Sequence, residues 1–201
     1  MAVIWFRPPA GDEGRLNACY NALDVHVIRG RADLVAVRSP VRDLTFAELL
    51  TEVGAFAGVL GALGVGVGDE VLVQGLPTDE DVVAQLACAR LGAVACDAPP
   101  ANAVLAVLGT TAGHELGELP TITIDDSAEL VWSTAMKAGR DDPGGCAEVP
   151  GDVALRVVAD VTIGTAAHLE AIDAGEVDDP IFTPLMAGLP VDLTGTDGSS
   201  S

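Results

Sequence analysis

Only three residues, His26, His114 and His168, carry the side chain that most readily exchanges a proton near neutral pH. None has a serine, cysteine or aspartate beside it in a nucleophile motif. Each is therefore read as structural or surface, and no catalytic residue is assigned. The cysteines Cys19, Cys88, Cys96 and Cys146 lack C-x-x-C spacing and clustered histidines, which argues against zinc and against a disulfide framework in a chain of 201 residues. Cys88 falls within an apolar helical stretch, where a small buried thiol is expected. The pairs Asp125-Asp126 and Asp178-Asp179 could ligate a divalent cation. A helix start for the first and a loop for the second are simpler, so no metal site is assigned. Gly64-Val-Gly-Val-Gly68-Asp69 has glycines spaced like a dinucleotide loop, but it follows a helix rather than a strand and fails on context.

Charge narrows the ligand classes further. Thirty acids against ten bases give a formal net charge of −20, which repels polyanions and excludes nucleic acid as a partner. Lys137 is the single lysine, and no base follows Arg156. A phosphate bound beyond that point would need backbone donors or a metal ion. Hydrophobic residues at 49% and charged ones at 20% describe a globular chain, and 3% aromatics leave its core to Val, Leu, Ala and Ile. Met1 to Pro9 lacks the basic flank and apolar run of a secretion signal. The longest apolar stretch, Phe56 to Val67, is broken by four glycines and is too short for a membrane span. A cytoplasmic protein with no membrane partner is expected.

The elements that would position these residues follow from periodicity. A helix is expected from Asn17 to Ile28 and a strand from Leu34 to Val37. Thr45-Phe-Ala-Glu48 is a capping box, followed by Phe46, Leu49, Leu50, Val53, Phe56 and Leu60 at helical spacing, with Gly64 as the stop. Glu70–Gln74 is a buried strand. Thr78 with Asp81 suggests a weaker capping box opening a helix to Gly92, and Ala93–Cys96 is the next strand. Strand, helix, strand in succession implies a mainly parallel sheet. Further on, Asn102–Leu108 is read as a helix, Thr121–Ile124 as a strand and Ser127–Ala138 as a helix. Asp141–Gly145 is a loop, Val153–Val158 a strand, and Thr165–Ala174 a helix stopped by Gly175. A glycine-bearing loop follows Ile181-Phe182, and residues 196–201 form a disordered tail.

Trp5-Phe6, Arg15-Leu-Asn-Ala-Cys-Tyr-Asn-Ala-Leu-Asp24, His26-Val27 and Gly30-Arg-Ala-Asp33 are followed in order by Leu44-Thr-Phe-Ala-Glu-Leu49, Leu63-Gly-Val65, Gly68-Asp69 and Leu86-Ala-Cys-Ala-Arg-Leu-Gly-Ala-Val94. Together these runs resemble the acetyl- and propionyl-CoA synthetases of the AMP-forming, adenylate-forming superfamily. In that family a Gly/Ser/Thr-rich loop ending in lysine and glycine wraps the ATP phosphates, after an Asp-Pro-hydrophobic-Phe segment. Asp179-Pro-Ile-Phe182 resembles this lead-in, and the matching loop would be 185–195. Of its positions, Gly188 and Gly195 keep their character. Ala187 replaces a hydroxyl, and Asp192 stands where a lysine would face phosphate, reversing the charge. The Asp97-Ala-Pro-Pro100 turn likewise replaces a glycine- and aromatic-bearing turn near the family's CoA site. The resemblance further implies that the chain stops before the family's adenine-contacting segment and C-terminal lysine. Capping, apolar stripes and helix stops persist while the loop does not, which argues against a decaying gene copy.

The expected fold is α/β, a largely parallel sheet flanked by helices. Residues 1–40 form an N-terminal lead-in and 41–195 the α/β domain, with a candidate break near 141–151. The expected function is a non-catalytic, acyl-CoA synthetase-like protein without cofactor, which binds a full-length synthetase or itself. The alternatives are one component of a split acyl-CoA ligase and a binder of an acyl or CoA ligand.

Overall fold

The structure, a computed structural model, describes residues 2–10, 14–158 and 161–195. Two short strands open it, β1 (Trp5–Arg7) and β2 (Arg15–Leu16). A π turn over Tyr20–Asp24 then runs into α1 (Val25–Ile28). Next come β3 (Val35–Arg38), β4 (Asp43–Thr45), α2 (Phe46–Ala62), β5 (Glu70–Gln74), α3 (Thr78–Leu91) and β6 (Val94–Cys96). The middle of the chain supplies β7 (Ala103–Leu108), β8 (Thr121–Thr123), β9 (Leu130–Val131), α4 (Trp132–Gly139) and β10 (Val149–Pro150). It closes with β11 (Ala154–Val158), β12 (Val161–Gly164), α5 (Thr165–Ala174), α6 (Phe182–Ala187) and β13 (Val191–Asp192). Residues 196–201, expected to be a disordered tail, lie outside the described residues.

The main sheet has seven strands in the order β12-β11-β6-β5-β7-β8-β9. All its pairs are parallel except β11 with β12. The fold is thus the expected α/β class. Two three-stranded sheets flank it, β1-β2-β10 and β13-β3-β4. Because β5 pairs with both β6 and β7, the chain reverses its direction of progress across the sheet beside β5.

Local chemistry explains the sharpest elements. The Thr45 hydroxyl accepts from the Glu48 amide at 3.2 Å, and the Glu48 carboxylate accepts from the Thr45 amide at 2.8 Å. That capping box starts α2, whose apolar stripe then buries Phe46, Leu49, Val53, Phe56 and Leu60. The helix α3 begins differently from expectation. Its N-cap is Pro77, without a side-chain hydrogen bond, so no capping box forms between Thr78 and Asp81. Proline's fixed φ and the acids Asp79, Glu80 and Asp81 in the first turn suffice to start it.

Two expected helices are corrected. Residues 103–108 form strand β7, paired to β5 on one side and β8 on the other. Leu105 and Val107 face the large core, whereas Ala106 and Leu108 join Leu72 in a small cluster on the opposite face. A short apolar run buried on both faces suits an interior strand, and periodicity alone does not separate it from a buried helix. Similarly, Leu130–Val131 pair with β8 as an edge strand, and α4 starts only at Trp132. Asp125 holds the preceding turn, accepting from the Ser127 amide at 3.1 Å and from its hydroxyl.

Glycines let α2 and α4 touch backbone to backbone. A Cβ on Gly139 would lie 2.0 Å from the Ala55 carbonyl oxygen and 2.8 Å from a Val59 methyl. One on Gly58 would lie 2.0 Å from the carbonyl oxygen of Asp142, in the loop that packs over α2. Gly139→Ala should therefore destabilise the chain by about 1–3 kcal/mol, outweighing the roughly 1 kcal/mol gained in helix propensity. A lowered urea midpoint at unchanged m-value is the expected readout. Among the described residues no helix is long and apolar enough to cross a membrane.

Candidate functional site

In an open parallel sheet, ligands tend to lie at the carboxyl ends of the strands. Here the carboxyl ends of β5, β6 and β11 enclose a cavity of about 70 Å³, lined by Gln85, Cys96, Asp97 and Arg156 among others. The neighbouring crevice between β5 and β7 is closed by backbone. The Gly109 amide donates to the Gln74 carbonyl at 3.1 Å, and a Cβ on Gly109 would lie 2.1 Å from the Gly75 oxygen.

Behind the cavity lies a buried carboxylate that gathers four donors. Asp179 accepts from the Arg156 guanidinium, contacts His168 Nε2 at 2.7 Å, and accepts from the amides of Ile181 and Phe182 at 2.9 Å each. Burial pushes its carboxyl up. The bonds from His168 and the Phe182 amide, the Arg156 charge and the Ile181 amide outweigh that and hold it below the usual carboxylate range. Arg156 also donates to Gln85 Oε1 at 3.3 Å, while its Nε is buried without a hydrogen-bond partner. This carboxylate is saturated by protein donors, so its chemistry is that of a clamp joining β11, α5 and the start of α6. The expected roles of the two acid pairs are exchanged. Asp179 stands at a helix start, and Asp125 holds a turn.

A second buried ion pair lies under the lead-in. Arg90, at the end of α3, donates to both Asp24 oxygens at 3.1 and 2.8 Å, and its Nε donates to the Gly144 carbonyl at 2.8 Å. Cys19 and Cys146 surround the same pair, their sulfurs 4.0 and 3.7 Å from Asp24 Oδ2. Neither buried cluster was picked out from sequence. The available signals were an arginine closing an otherwise apolar helix face and an aspartate preceding Pro180.

The three histidines lie apart. His26 is fully buried against Phe46, with ring centroids 4.8 Å apart. Burial and then Arg31 hold its imidazole below the ordinary value. Neither ring nitrogen has a partner of good hydrogen-bonding geometry. His114 lines a 450 Å³ cavity beside Pro99 and Pro100, part of the turn singled out in the sequence. His168 alone meets an aspartate, as described. Cys88 is fully buried, its thiol pushed up to about 12, and burial with Glu70 and Asp97 raises Cys96 to about 11. Among the described residues no group of three His, Cys, Asp or Glu side chains is placed to hold a metal ion.

The expected loop over 185–195 is not a loop throughout. Ala187 ends α6, Gly188 is its left-handed cap at φ 73°, and Asp192 lies in β13 opposite Arg38 of β3. Asp192 also accepts from the Thr194 amide at 3.0 Å and hydroxyl at 2.6 Å, while Gly195 sits in an exposed turn. The helix forms because Phe182, Leu185 and Met186 are buried in the core and Asp179 satisfies its first amides. A Cβ at Gly188 would meet Arg31 Nη1 at 2.3 Å and the His26 ring at 3.1 Å, so this corner accepts only glycine without rearrangement.

Comparison with known proteins is consistent along the chain. The family of AMP-binding enzymes matches residues 25–104. An acetyl-coenzyme A synthetase of Cupriavidus necator is 32% identical over 211 aligned positions, covering 98% of this chain and 30% of that protein. One from Rhodopirellula baltica is 48% identical over 92 residues, 40% of this chain and 14% of its own length. The chain thus spans less than a third of these relatives. A crystal structure of Brucella canis acyl-CoA synthetase superposes with a TM-score of 0.73 over 96% of this chain and 45% of that one; at 20% identity this speaks for the fold. In sequence and in fold the chain is acyl-CoA synthetase-like, similar to the N-terminal portion of the AMP-forming, adenylate-forming enzymes.

Proposed function

We propose that this chain is a non-catalytic acyl-CoA synthetase-like protein that acts by binding another chain, a full-length synthetase or a second copy of itself. One observation carries the reading. The stretch that would cradle phosphates is spent on packing, with Leu185 and Met186 buried in α6, Val191 buried in β13 and Asp192 presenting negative charge. Pro190 lacks an amide to donate, and no lysine or arginine follows Arg156. Calorimetric titration with ATP-magnesium, AMP and CoA should give no saturable heat for ATP up to millimolar concentration. Micromolar ATP binding would overturn the reading.

A second reading, one component of a split ligase, draws on the surface. The two-residue edge strand β9 borders a cavity of about 570 Å³ and an apolar groove of about 240 Å³ between α2 and α4, both lined by Leu63 and Leu130. Acyl-dependent pyrophosphate release on mixing with a complementary chain would favour it over the first.

A further inference from the structure

We propose that Cys19 and Cys146 form a reversible dithiol–disulfide site that staples the lead-in to the loop after α4. Strand β2 pairs antiparallel with β10, Leu16 opposite Val149 and Arg15 opposite Pro150. Beyond Leu16 the chain turns helical, with Cys19 at φ −61° and ψ −42°, and the segment leading into β10 carries Cys146. Side-chain bonds hold the two segments together there. Asn17 Nδ2 donates to the carbonyls of Ala147 and Arg90, both at 2.9 Å, and the Ala147 amide donates to the Arg90 carbonyl at 2.8 Å. The two sulfurs approach one oxygen of Asp24, at 4.0 and 3.7 Å, so both thiols face the same carboxylate.

The two thiols differ in access. Cys19 is fully buried, and Cys146 is partly exposed. A cavity of about 450 Å³ is lined by Arg90, Gly144 and Gly145, the last of these the residue before Cys146. Cys146 is the more accessible of the two, so the reaction starts there, and burial favours the protonated thiol at Cys19. A small-molecule disulfide such as oxidised glutathione supplies the oxidising equivalents. The Cys146 thiolate attacks one of its sulfurs, forming a mixed disulfide and releasing one glutathione thiol. Cys19 then attacks the Cys146 sulfur, and the second glutathione leaves as its thiolate and takes up the Cys19 proton. The protein loses two hydrogens, and one oxidised glutathione becomes two reduced.

The test treats the full chain with oxidised glutathione, followed by intact mass and a non-reducing tryptic map. The expected product is a chain lighter by two hydrogens, with peptide 16–29 linked to peptide 141–156 and the link removed by dithiothreitol. The Cys146→Ser variant, changed at the more exposed position, should give no such link. A stable glutathione adduct on Cys146 alone, a link between Cys88 and Cys96, or an unchanged mass would each overturn the proposal.

Discussion

Replacing Asp179 by alanine is expected to destabilise the chain by about 3–5 kcal/mol, because it strands the buried Arg156 guanidinium without its counter-charge. The Ile181 and Phe182 amides lose their acceptor at the same time, and His168 loses its partner. Chemical denaturation at neutral pH measures the loss. Asp179→Asn, which still offers one carbonyl oxygen to an amide, should lose less. The pH dependence has a definite direction. The folded-state value of Asp179 lies below the ordinary one, so its contribution is complete above about pH 4, the unfolded carboxylate value. It is lost as pH falls through the folded value. The gap between parent and Asp179→Asn should therefore narrow in acid, and a gap independent of pH would refute the charged clamp.

A comparable loss, about 3–5 kcal/mol, is expected for Arg90→Met, which leaves Asp24 largely buried and uncompensated. In the native pair the Arg90 side chain is 11% exposed and that of Asp24 16%. The same substitution releases the Gly144 carbonyl, so the loop over α2 loses one of its ties. Removing both charges, in Arg90→Met with Asp24→Leu, should recover much of the loss, since an apolar pair of similar volume tolerates burial. A double variant as unstable as the sum of the singles would mean the two side chains act independently.

Short-range signals made much of the framework legible. The Thr45–Glu48 capping box, the five-residue strand β5 and the α5 helix with its left-handed Gly175 all lie where local pattern puts them. Each is decided by neighbours a few residues away, through a cap, an apolar stripe or a glycine that takes positive φ. The ordered family landmarks belong to the same level, being a linear pattern read against known enzymes.

What tertiary structure alone decided depends on which surfaces meet. The apolar run 103–108 becomes a strand because β5 and β8 offer hydrogen bonds on both sides and cores lie on both faces. Residues 182–187 become helix because burial of Phe182, Leu185 and Met186 outweighs any local tendency toward a loop. Arg90 finds Asp24 across 66 residues, Cys146 approaches the same carboxylate across 122, and Arg156 meets Asp179 from a strand of the main sheet. Linear spacing does not encode such meetings. A buried charge or thiol acquires its chemistry only when the folded chain brings its partner within bonding distance and removes the water between them.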